Sequence, residues 1–230
     1  MKFTPASLPS LIAFGLVLLF EVGMFLAAIY YASRRLLEKP WTNTLLMAFL
    51  LVLWLSMATT IVQSGILQAY PVPTVPLFHL SLLSVAVLFG FSHWGAKIAL
   101  SIPLVFIVAF HVYRLPLELV MASWAEQGTI PSTMTVAGKN FDVLTGLFAL
   151  TIAPLAGTYR KLTWIFNIAG MISLANAIYV SVMSSPFKFT WGVQPPLQLV
   201  FHMPYAFIGP VCIGGALAGH IILTRALLYH

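Results

Sequence analysis

Charge is what this chain has least of. Acidic and basic residues together make up 7% of its 230 positions, with five carboxylates in all, and Asp142 is the one aspartate. Soluble domains carry about 25% charged residues, so no water-soluble domain can be assembled from what this chain offers. Cysteine is scarcer still. The lone Cys212 lies in an apolar segment, which excludes an intrachain disulfide and leaves the redox compartment open. Tandem repeats and low-complexity tracts are lacking, so an inverted-repeat transporter gains no support. Compact catalytic and cofactor signatures are lacking too: there is no HExxH, no GxSxG, and no glycine-rich phosphate or dinucleotide loop. The chain therefore carries no signature of an enzyme.

What is present is apolar. Hydrophobic residues reach 60% and mean hydropathy is +0.99. Stretches compatible with the roughly 17–25 residues of a membrane-spanning helix fall at Leu8–Tyr31, Thr44–Ile66, Pro76–Phe91, Ile98–Tyr113, Phe141–Ala156, Trp164–Ser184 and Val200–Tyr229. The expected fold is all-α: a polytopic helix bundle of about seven spans in a single transmembrane domain covering residues 1–230, with an outer loop near 114–140. The pair within 76–113 is separated only by Ser92 to Lys97, so it reads either as two full spans or as one re-entrant hairpin.

The net charge of +6 would suggest nucleic acid in a soluble protein. Here the basic residues follow membrane orientation instead, and no nucleic-acid partner is expected. With seven spans, Arg34, Arg35, Lys39, Lys97, Arg160, Lys161 and Arg225 share one side, and Lys2, Arg114, Lys139 and Lys188 the other. The larger group marks the cytoplasm, which puts the amino terminus outside and the carboxyl terminus inside.

Polar residues inside spans are functional leads by default, because lipid cannot solvate them. Glu21, Ser56 and Asn176 all fall at mid-span, and a neutral Glu21 hydrogen-bonded to Asn176 or to the Ser56 or Thr59 hydroxyl is the expected network. At the outer level, His111, Arg114 and Glu118 are spaced to share one helix face. Arg114 and Glu118 can then pair along that helix while His111 points into the membrane below. Asn140 and Asp142 open the fifth span, where capping and first-turn acids belong. With His202 at the start of the seventh span, these residues suggest an outward-facing polar pocket between the fourth, fifth and seventh helices, closed by the loop from Gly128 to Lys139. His79, His111 and His202 are the candidate metal ligands.

RLPLEL (Arg114 to Leu119), GTIPSTMT (Gly128 to Thr135) and GKNFDVLTG (Gly138 to Gly146) resemble the pattern of an uncharacterised family of bacterial multi-pass membrane proteins. The resemblance covers about thirty residues, with weaker similarity at Asn167, Asn176 and Gly219 to Leu227. It implies a bacterial cytoplasmic membrane and no particular activity.

The leading functional expectation is a membrane protein whose polar cavity binds a small ligand or ion, as a transporter, carrier or sensor subunit. A redox protein is the first alternative. His79 and His93 lie about 21 Å apart along a helix, a spacing suited to two haems, although His202 and His220 match it poorly. The second alternative is an accessory subunit packed on a larger membrane complex, whose partners are that complex and the lipid bilayer.

Overall fold

The computed structural model describes residues 3–229; Lys2, used above for orientation, lies outside them. Among the described residues the structure is helical, with no strands. We number the helices α1 (Leu8–Arg35), α2 (Pro40–Gln63), α3 (Pro71–Phe91), α4 (His93–Ser101), α5 (Leu104–Glu126), α6 (Asp142–Leu155), α7 (Arg160–Met183) and α8 (Tyr205–Tyr229). Six of these, α1, α2, α3, α5, α7 and α8, are long and apolar enough to cross a membrane, and α6 is a shorter apolar helix. The protein is a multi-pass membrane helix bundle.

One end of the bundle gathers the amino-terminal segment, the loop after α5 and the start of α8. There the Ser7 amide donates to Gln127 Oε1 at 2.5 Å and the Ala6 amide to the Tyr205 hydroxyl at 2.7 Å. The opposite end is tied by Lys97 to Glu38 at 2.6 Å. Arg225 adds to that tie by donating to the carbonyls of Gly90 and Ser92 at 2.8 Å each.

In lipid there is no hydrophobic drive between helices, so packing and interhelical hydrogen bonds hold them together. The distribution of burial shows which helix organises the rest. In α8, 67% of the apolar stretch is buried, against 17% in α2. Leu45, Phe49, Val52 and Leu53 of α2 are instead exposed, as a lipid-facing surface requires.

Two expectations about the middle of the chain are corrected. Residues 76–113 hold the greater part of one span-length helix, a separate short helix and the start of the next span-length helix. Ser92 caps a separate nine-residue helix, α4, by accepting from the Gly95 amide at 3.2 Å. That helix ends at Ile102, whose extended backbone (φ −96°, ψ 129°) is what a following proline, Pro103, imposes. The fourth span therefore starts at Leu104 and runs to Glu126, taking in residues read from the sequence as an outer loop. The loop proper is 127–141. Arg114, ten residues from one end of α5 and twelve from the other, lies about 15–18 Å deep.

Prolines shape two of the helix ends. Pro154 sits in the tight turn Ala153–Leu155 that ends α6, and Pro210 sits in a widened π-helical turn, Gly209–Ile213, near the start of α8. Against that turn, the Tyr113 hydroxyl donates to the Cys212 carbonyl at 2.6 Å, bolting α5 to α8 at mid-depth.

Candidate functional site

Arg114 is the one buried Lys or Arg side chain among the described residues, 1% exposed. A guanidinium at this depth needs its donors occupied. Nη1 pairs with Asp142 Oδ1 on α6, and Nη2 donates to His220 Nε2 on α8 at 3.2 Å. A guanidinium can only donate, so His220 Nε2 accepts and the ring proton sits on Nδ1. That proton is donated to Asn167 Oδ1 on α7 at 2.9 Å. Asn167 Nδ2 in turn donates to Thr224 Oγ1 at 2.7 Å. Ser173 Oγ adds a bond to Asp142 Oδ1 at 3.1 Å. A single directional chain of hydrogen bonds thus crosses α5, α6, α7 and α8.

Close approach makes room for it. A Cβ on Gly170 would stand 2.3 Å from His220 Cε1, and one on Gly219 would stand 3.1 Å from the His111 ring. His111 stacks on His220 with ring centroids 4.0 Å apart, and neither of its ring nitrogens has a hydrogen-bond partner among the described residues.

The same Arg114 helps form the floor of a cavity of about 250 Å³. Glu118, Asn140 and Asp142 complete the polar floor, and Phe78, Leu82, Leu174 and Phe201 are among the apolar walls. Glu118 Oε1 accepts from the Val136 amide at 2.6 Å, which ties the loop after α5 to its helix. Asn140 holds the turn into α6 by accepting from the Asp142 amide at 3.2 Å and donating to the Met134 carbonyl at 3.1 Å. Ser185, Pro186, Phe187 and Phe189, in the segment that follows α7, line the cavity as well.

The structure brings Arg114, Glu118, Asn140 and Asp142 to this one cavity. It separates the rest. Arg114 pairs with Asp142 rather than along its own helix with Glu118, because α6 delivers the aspartate directly to the guanidinium. His111 lies behind Arg114 and does not line the cavity. His202 is at the bundle end, stacked on Phe3 at 3.9 Å, where burial holds its imidazole below the ordinary histidine range. His79 lines the α3 wall, with Nδ1 engaged by the Val75 carbonyl at 2.9 Å. The candidate metal set is therefore dispersed, and no group of three potential ligands forms among the described residues. The walls also differ from expectation: α3, α7 and the 185–201 segment contribute, and the loop from Gly128 to Lys139 supplies one lining residue, Met134.

The mid-membrane network around Glu21 is corrected as well. Ser56 is exposed on α2, the Thr59 hydroxyl is spent on the Leu55 carbonyl, and Asn176 donates to the Lys139 carbonyl at 2.9 Å. Glu21 is 3% exposed and neither carboxyl oxygen has a hydrogen-bond partner among the described residues. A Cβ on Gly215 would meet its Oε2 at 3.2 Å. Glu21→Met is expected to raise the melting temperature in detergent, since an unsatisfied buried polar group costs about 1–3 kcal/mol; a fall would show that the carboxyl is satisfied in the membrane.

No protein-family model matches the chain, and neither the curated proteins nor the solved structures include a match to it. The motif resemblance stays a resemblance, and the argument for function rests on the site. Sequence reasoning missed the Arg114–His220–Asn167–Thr224 chain. The available signal was His220 and Thr224 one helical turn apart inside an apolar span, together with Asn167 in another.

Proposed function

We propose that this integral membrane protein binds a small amphipathic ligand in the cavity above Arg114, as the binding unit of a transporter, carrier or sensor. The observation that carries the reading is the cavity itself, with largely apolar walls and, among its polar side chains, Arg114, Glu118, Asn140 and Asp142. Small-molecule sites have this make-up, with apolar surface for affinity and a few fixed polar groups for orientation. Three of those four are held in place by partners outside the cavity: Arg114 by His220, Glu118 by Val136 and Asp142 by Ser173.

We further propose seven passages of the membrane, counting α6, with the amino terminus outside in a bacterial cytoplasmic membrane. The basic residues at the carboxyl-terminal end of the bundle support this orientation. Moving Arg114 from a loop to mid-helix removes one of the charges that argued against it. A haem role is not carried forward, because both nitrogens of His220 are engaged by Asn167 and Arg114.

Cysteine accessibility tests the cavity and its side together. In a Cys212→Ala background, a cysteine at Ser181 on the cavity wall is expected to react with a membrane-impermeant methanethiosulfonate added from the amino-terminal side of sealed vesicles. A cysteine at Leu88, 70% exposed on the lipid face, is expected to stay unmodified. Adding Ala177→Trp, which fills the cavity, should slow the Ser181 reaction. Reaction only from the opposite side would reverse the topology, and no reaction from either side would remove the cavity as a binding site.

A further inference from the structure

Resting on that reading, we infer that the cavity's ligand is a small lipophilic cation, an apolar amine or quaternary ammonium. Among the described residues Arg114 is the only Lys or Arg lining the cavity, and its charge is matched by Asp142. Glu118 adds a second carboxylate to the same floor. Its Oε1 is committed to the Val136 amide, while Oε2 carries no hydrogen bond among the described residues. The cavity floor thus has one carboxylate more than it has cations, in surroundings too apolar to screen the difference.

Lys139 is held over the Trp191 ring at 4.1 Å, and neither it nor Lys188, which stands between Phe187 and Phe189, is among the described residues that line the cavity. An anionic ligand would have to displace Asp142 from Arg114 and then lie beside Glu118. A cation meets no such opposition.

The walls favour the same class. Phe78, Tyr113, Phe187, Phe189 and Phe201 line the cavity with Met121 and Met134. Aromatic faces attract cations that shed their water, and quaternary ammonium groups are a common guest of such linings. Phe187 and Phe189, both in the lining, stack with centroids 5.6 Å apart and offer a flat aromatic face. Methionine side chains adapt to the outline of an irregular apolar guest. The volume of about 250 Å³ limits that guest to roughly one substituted ring.

The test uses the full chain in detergent micelles and three probes of similar shape: phenyltrimethylammonium, the uncharged tert-butylbenzene and the anionic benzenesulfonate. Titration calorimetry, with empty-micelle heats subtracted, is expected to show the cation binding at least about tenfold more tightly than either of the others. Glu118→Gln keeps a side-chain carbonyl for the Val136 amide and removes the charge. It should cut cation affinity by about tenfold and leave the melting temperature of the free protein nearly unchanged. Equal binding of all three probes, or tighter binding of the sulfonate, overturns the cation assignment while leaving the cavity reading standing. Undiminished cation binding by Glu118→Gln overturns it as well. If no probe binds although the Ser181 cysteine is reached by its reagent, only the cation assignment falls; if that reagent is also excluded, the cavity reading falls with it.

Discussion

Arg114→Met is expected to be the most damaging single substitution in the membrane interior, costing about 3–5 kcal/mol. The methionine fills most of the space, so the loss is electrostatic. Asp142 is left as a largely buried carboxylate with only Ser173 for company, and His220 Nε2 loses its donor. Removing one member of a buried pair costs far more than removing both, because the survivor keeps its desolvation penalty. The double variant Arg114→Met with Asp142→Leu should therefore recover part of the loss. Midpoints of thermal unfolding in one detergent, read for the wild type and the three variants, give the coupling directly. A single substitution that leaves the midpoint unchanged, or a double variant worse than the sum of the singles, would show that the Arg114–Asp142 pair is not what holds α5 to α6.

Gly170→Ala should also destabilise markedly, and its sign should be opposite to that of the same change at Gly15. The new Cβ would arrive 2.3 Å from His220 Cε1 and 2.6 Å from Nε2. The imidazole has nowhere to go: Arg114 and Asn167 hold its two nitrogens, and His111 is stacked on its face. Overpacking of this kind costs about 1–3 kcal/mol, and breaking the hydrogen-bond chain adds to it. At Gly15 in α1 nothing lies within 4 Å of an added Cβ, so Gly15→Ala should stabilise by up to about 1 kcal/mol through helix propensity alone. Combining Gly170→Ala with His220→Ala should cost less than the two changes added separately, since the shortened side chain removes the clash. Additive losses would place the Gly170 effect in the backbone rather than against His220.

The depth of Arg114 separates what could be read early from what could not. Hydropathy summed over twenty residues is insensitive to one charge. A span ending at Tyr113 therefore looked natural, and Arg114 was read as lying at the headgroups. In the folded protein, Pro103 delays the start of the span to Leu104 and the helix runs on to Glu126, so both ends move along the chain and the whole span shifts by about half its length. The residue types were correct and the register was wrong. The grouping of Arg114, Glu118, Asn140 and Asp142 survived that error because the loop 127–141 is short, and a short loop returns the chain to the same end of the bundle. The histidines did not survive it. Histidines at equal depth can lie on opposite sides of a bundle, and nothing in their spacing says which helices are neighbours.

By itself, the sequence determined the environment and the class of fold. A chain with 60% hydrophobic and 7% charged residues can bury its peptide groups in lipid only as helices that satisfy their own backbone. It also determined that Glu21 and the region around Arg114 would need special handling, since the cost of a polar group in lipid depends on the group and its depth, both readable along one helix. The tertiary structure alone decided how each was handled: Arg114 by Asp142 and His220 from helices far along the chain, Glu21 by no hydrogen-bonding side chain at all among the described residues. Which helix faces meet is set by packing shape, by Gly170, Gly215 and Gly219 opening room for side chains opposite. Such complementarity belongs to pairs of surfaces and is written in neither one alone.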